Sequence, residues 1–88
     1  MDTLPALNQA CQKGRPECAK ALLEAGADIN KRANGGFTPL IWAAQWGRIE
    51  IVRELLKRGA KKELKNKDGK TAYDMDYNNT AEIKALLR

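Results

Sequence analysis

Three stretches of this chain hold residues whose type and spacing could do chemistry: Cys11 with Cys18, Asp74 with Asp76, and the glycine-rich Asn34-Gly35-Gly36. None completes a catalytic constellation. There is no histidine in the chain, so the commonest general base and metal ligand is missing, and neither a Ser-His-Asp nor a Cys-His arrangement can be built. The cysteines lack the Cys-x-x-Cys spacing of redox and zinc motifs and are expected to be reduced, buried packing residues. Asp74 and Asp76, at i and i+2 on an expected first helical turn, would point to different faces and serve the positive end of that helix. Thr38-Pro39 follows the glycines, where a phosphate loop would place Lys-Ser/Thr. The reading is a protein without catalytic residues, cofactor or metal.

What remains is aromatic and basic. Trp42 and Trp46 lie one helical turn apart, close after Phe37. Between residues 57 and 70 lie Lys57, Arg58, Lys61, Lys62, Lys65, Lys67 and Lys70 against Glu63 and Asp68, enough to account for the whole net charge of +5. A concentrated positive edge attracts acidic protein surface and nucleic acid by the same Coulomb field, so charge alone does not choose between them.

The elements that position these residues come from an internal repeat. Eighty-eight residues suffice for one domain with a modest core, burying about 60–65 % of the unfolded surface. A cleft between two large domains is thereby disfavoured. No apolar run approaches the ~20 residues of a membrane span, and the start MDTLPALNQA lacks a secretory pattern, so an intracellular protein, cytoplasmic or nuclear and not membrane-bound, is expected. Shifting the chain by 33 residues superposes Leu7 on Leu40, Ala10 on Ala43, Gln12 on Gln45, Gly14-Arg15 on Gly47-Arg48, Leu22-Leu23 on Leu55-Leu56 and Gly26-Ala27 on Gly59-Ala60. A second step carries Gly36 to Gly69 and Thr38 to Thr71.

Each unit reads as two short antiparallel helices. Thr38 can cap a free amide and Pro39 suits the first helical position, while Gly47 closes the helix. Ile49, Val52, Leu55 and Leu56 recur at helical spacing, and Gly59 ends the second helix. Asn34-Gly35 and Asp68-Gly69 mark hairpin-like loops between units. Helices this short must stack to bury their stripes, with Ala10, Cys11, Ala43 and Ala44 permitting close approach. The units run over about 2–33, 34–66 and 67–88 within one domain, residues 1–88.

The string Gly36-Phe37-Thr38-Pro39-Leu40, Ala43-Ala44, Gly47, then Val52, Leu55-Leu56 and Gly59-Ala60, resembles the ankyrin repeat. The resemblance implies an all-α solenoid of stacked helix-turn-helix units joined by hairpin-like loops. The first unit departs from it with Pro5-Ala6-Leu7-Asn8 in place of the favoured T-P-L-H. Ile41 stands where the middle unit would have the bridging histidine. The third unit is about two residues short before Ile83, so units one and three read as caps around one standard repeat. Cys18, opposite Ile51 in this register, is expected to pack.

The family's ligand surface is a concave groove of hairpin tips and inner helices. By resemblance it holds Arg32, Asn34, Gly35, Phe37, Gln45 and Trp46, flanked by Gln12 and Lys13 on one side and Lys65, Lys67 and Lys70 on the other. Trp42 takes a place usually filled by leucine and is expected in the core. The implied function is non-catalytic binding of another protein with acidic and apolar surface, by a chain that is monomeric or weakly self-associating. The competing reading is nucleic-acid binding by the edge Lys57 to Lys70.

Overall fold

Helix starts follow the local sequence closely. Thr38 turns its hydroxyl to accept the Ile41 amide at 3.2 Å, and Pro39 opens the helix behind it. In the computed structural model, which describes residues 4–77 and 80–88, five helices form: α1 (Ala6–Lys13), α2 (Pro16–Glu24), α3 (Pro39–Gln45), α4 (Ile49–Lys57) and α5 (Ala81–Leu87). No strand occurs among the described residues.

The 33-residue repeat is a repeat of backbone geometry. The Arg15 amide donates to the Ala10 carbonyl at 2.9 Å, and the Arg48 amide to the Ala43 carbonyl at 2.8 Å. Ala27 donates to the Leu22 carbonyl at 3.0 Å, and Ala60 to the Leu55 carbonyl at 2.9 Å. The hairpins match too: Ala33 donates to the Phe37 carbonyl at 2.8 Å and Asn66 to the Lys70 carbonyl at 2.9 Å.

Stacking buries what no single pair could. Helices α1 and α3 pack side by side in one layer, α2, α4 and α5 in the other. Leu7, Ala10, Cys11, Leu40, Ile41, Ala43, Ala44, Ile51, Val52, Leu55 and Ile83 form one continuous core. Arg48 locks the first two units together, giving Nη2 and Nε to the Gln12 carbonyl at 3.0 and 3.3 Å. A Cβ on Gly14 would meet that guanidinium at 2.7 Å, so the lock needs glycine there.

Two expectations need correction. Cys18 is exposed. Its register mate Ile51 is covered by the preceding unit, whereas nothing among the described residues lies over that side of α2. The third unit also keeps only its second helix. With two residues missing, the segment after Thr71 makes a single turn closed by the Met75 amide on the Thr71 carbonyl at 3.1 Å, so Asp74 and Asp76 do not lie on a helix. Asp74 Oδ2 instead accepts the Thr71 amide at 3.0 Å, which holds its carboxyl below the usual range, while Asp76 turns inward at 2 % exposure.

The hairpins touch through backbone. Lys67 donates its amide to the Gly35 carbonyl at 2.8 Å, and a Cβ built on Gly36 would lie 3.0 Å from that same nitrogen. Gly36 sits at φ +78°, as Gly59 does at +90°, but Gly59 has nothing within 4 Å of such a Cβ. Gly59→Ala should therefore cost only the positive-φ penalty of about 1–3 kcal/mol, and Gly36→Ala distinctly more in urea unfolding. Equal losses would remove the close approach from the account.

The Cys11 thiol is fully buried, and desolvation pushes its pKa from 9.0 up to about 12. The folded state holds that proton more tightly than the unfolded chain. Its contribution to stability is therefore complete below pH 9 and is lost as pH rises from 9 towards 12. Denaturant titrations over that range should show the decline in wild type and less of it in Cys11→Ala measured against its own baseline.

Candidate functional site

Helix α3 and the first hairpin carry an aromatic row. Phe37 leaves the hairpin and its ring lies 4.7 Å from that of Trp42, tilted by 33°. Trp42 lies on α3 and Trp46, four residues on, caps its C-terminus with its amide on the Trp42 carbonyl at 3.1 Å. The row runs from the hairpin to the far end of the helix, and burial falls along it. Phe37 and Trp42 are half-buried against the core, while Trp46 is 49 % exposed. Trp42 thus stands at the edge of the core, where its ring supports Phe37.

Two polar atoms along this row lack partners among the described residues: Trp42 Nε1, a donor, and Gln45 Oε1, an acceptor, both covered. Leaving such a group unpaired costs on the order of 1–3 kcal/mol. The strain is tolerated on the same helix that carries the exposed tryptophan.

The predicted basic residues are all exposed. Arg32 and Asn34 are exposed on the first hairpin, Lys65, Lys67 and Lys70 on the second, and Lys13 at the end of α1. The backbone bond from Lys67 to Gly35 joins the two tips. Ion pairs among the described residues involve only Arg53 with Glu82 and Arg58 with Glu54, so Arg32, Lys65, Lys67 and Lys70 face solvent without a carboxylate. Gln12 contributes differently: its carbonyl receives Arg48, and its side chain is half-buried.

Sequence reasoning passed over three residues that hold this surface in shape. Asn8 is fully buried, and its Nδ2 donates at 3.2 Å to both the Lys31 and the Phe37 carbonyls, tying the first hairpin to α1. It occupies the register position of Ile41, and a polar side chain there was the available signal. Asn66 does the equivalent work in the second hairpin, its Oδ1 accepting the Asp68 and Lys70 amides at 2.9 and 3.0 Å. Arg48 was visible only as a recurrence of Arg15.

Among the described residues no cluster of His, Cys, Asp or Glu could hold a metal ion, and no helix is long and apolar enough to cross a membrane. Stacked helix pairs with hairpins bonded tip to tip define a repeat solenoid. A family model of ankyrin repeats, three copies, matches residues 2–68, and the chain belongs to the ankyrin repeat family. It is 39 % identical over 83 residues to protein phosphatase 1 regulatory subunit 27 of Homo sapiens, spanning 91 % of this chain and 54 % of that protein. It is 43 % identical over 70 residues to protein phosphatase 1 regulatory subunit 12A of Mus musculus, spanning 80 % of this chain and 7 % of that one. The chain therefore covers about half of the first relative and a small part of the second.

Asn8→Ala should lose two hydrogen bonds and take the Asn8 donor from the Lys31 carbonyl, while the Phe37 carbonyl keeps the Ala33 amide. A loss of about 2–4 kcal/mol in thermal or urea unfolding is expected, with the first hairpin's amides exchanging faster. A loss below about 0.5 kcal/mol would show that the hairpin is held by other contacts.

Proposed function

We propose that this chain is a non-catalytic protein-interaction module that holds its partner against the aromatic row and the two hairpin tips. The single observation that carries the reading is Trp46, a large aromatic side chain 49 % exposed at the end of the helix that carries Trp42. Large aromatic side chains at the centre of a contact, dried by their neighbours, contribute most of the affinity at typical interfaces. Arg32, Asn34 and Gln45 with Phe37 and Trp46 form the centre of the surface. Lys13, Gln12, Lys65, Lys67 and Lys70 form its rim, setting orientation and association rate.

The partner is a protein with an acidic and apolar surface. Relatives named as regulatory subunits of a phosphatase support a role exerted through another protein. A protein fits better than nucleic acid because Glu63 and Asp68 interrupt the basic edge and are themselves exposed. No role in the reading falls to a nucleophile or a general base.

Trp46→Ala should weaken partner capture more than tenfold, about 1.4 kcal/mol or more, and leave the melting temperature within a degree or two. Isothermal calorimetry with paired thermal scans measures both. Unchanged affinity would take Trp46 out of the interface.

A further inference from the structure

We infer that Tyr77 is a phosphorylation site, and that a phosphate placed there cancels the positive charge of the second hairpin. The chain has two tyrosines, and the fold treats them in opposite ways. Tyr73 is half-buried against the core, with Lys84 Nζ 4.0 Å over its ring and 2.6 Å from its carbonyl. Tyr77 is 62 % exposed, and its hydroxyl donates to Met75 Sδ at 3.4 Å. A thioether is a weak acceptor, so this contact holds the hydroxyl loosely.

The residues before Tyr77 suit a kinase in charge and in ease of opening. Asp74 and Asp76 precede it in Asp74-Met75-Asp76-Tyr77, and many tyrosine kinases, which bind the substrate as an extended segment, favour acids on that side. Asp74 is exposed. Asp76 is 2 % exposed, and neither of its carboxyl oxygens has a hydrogen-bond partner among the described residues. Its register mate is Ala43, so a carboxyl stands where the middle unit has a methyl group. Opening the turn from Thr71 to Tyr77 returns both oxygens to water, which lowers the cost of opening there. The same opening frees Asp76 and Tyr77 for a kinase. Transfer then uses a nucleoside triphosphate bound by that kinase. Tyr77 Oη bonds to the γ-phosphorus, the bond from that phosphorus to the bridging oxygen breaks, the diphosphate leaves, and the phenolic proton passes to the kinase's base.

A single sulfur ties the hydroxyl to the second hairpin. Met75 Sδ, which receives Tyr77 Oη, also receives Asn66 Nδ2 at 3.8 Å, and Asn66 Oδ1 accepts the Asp68 and Lys70 amides at 2.9 and 3.0 Å. Lys65, Lys67 and Lys70 are exposed around that asparagine with Asp68 as the opposing acid, three positive charges against one negative. A phosphate carries about −1.5 to −2 charges at neutral pH and here stands about one screening length, ~8 Å, from the hairpin, so the two fields cancel. This effect rests on the interaction surface proposed above: the modified chain attracts an acidic partner less, while Trp46 is unchanged.

The full-length chain is incubated with ATP and a tyrosine kinase domain that prefers acidic substrates, and intact mass with peptide mapping reads the product. Wild type and Tyr73→Phe should each take a single phosphate, on Tyr77, while Tyr77→Phe loses about nine-tenths of the incorporation and Asp74→Asn slows it about threefold. A synthetic peptide of residues 68–82 controls for sequence alone. Phosphate on the peptide but not on the folded chain would overturn the site, as would equal phosphate on Tyr73 or no reaction of either substrate. The phosphorylated chain should then bind a glutamate-rich peptide about tenfold more weakly at low salt, with amide shifts at Asn66, Lys67 and Lys70 in NMR. Unchanged binding with phosphate on Tyr77 would overturn the charge effect and leave the interaction surface standing. Failure of the unmodified chain to bind that peptide would overturn the acid-binding surface and the effect resting on it, while the mapped phosphate still decides the site.

Discussion

The structure depends on how closely α1 and α3 approach. Ala10, Cys11, Ala43 and Ala44 are each at most 5 % exposed and together form a seam of small side chains between the two helices. Neither helix is long enough to be stable alone, since isolated helices under about 12 residues are marginal in water. The seam lets Leu7, Leu40, Ile51 and Leu55 close into one core. A larger side chain anywhere on it would push the units apart. The Arg48 contact to Gln12 spans that gap and would be lost.

The repeat made most of this legible in the sequence. Turn glycines, paired leucines and the Thr-Pro start are local signals with one physical meaning each, and they agree with one another across 33 residues. Where the reading failed, the cause lay outside local sequence. Cys18 matches Ile51 in register, yet the neighbour that buries Ile51 has no counterpart over Cys18. Register predicts the shape of a unit; burial also depends on what stands next to it. The third unit failed for a different reason. Its two-residue shortening was visible, but whether the lost residues would come from a loop or from a helix depends on tertiary packing, and here a turn replaces the helix.

The surface was legible in part. The resemblance placed Trp46 outward, where it is 49 % exposed, and turn residues placed the lysines in loops. It could not show that the Trp42 ring would pack against that of Phe37, 4.7 Å away. That arrangement depends on the hairpin's exit angle, which Asn8 fixes from another element 29 residues away. Contacts of that range leave no periodic trace in a single sequence.

Charge is divided between the two layers in a way that favours one face. Helices α2, α4 and α5 together carry five acids and four bases, although the chain as a whole is at +5. Some of those charges are neutralised directly, as Arg53 is by Glu82 and Glu54 by Arg58, which caps α4. The excess therefore lies with the hairpins and the first-layer helices. A screening length of about 8 Å at physiological salt keeps such a field local to the surface that generates it. The hairpin side thus carries a local positive field. The stack sorts side chains by layer, turning a bias of composition in two short loops into a bias of direction.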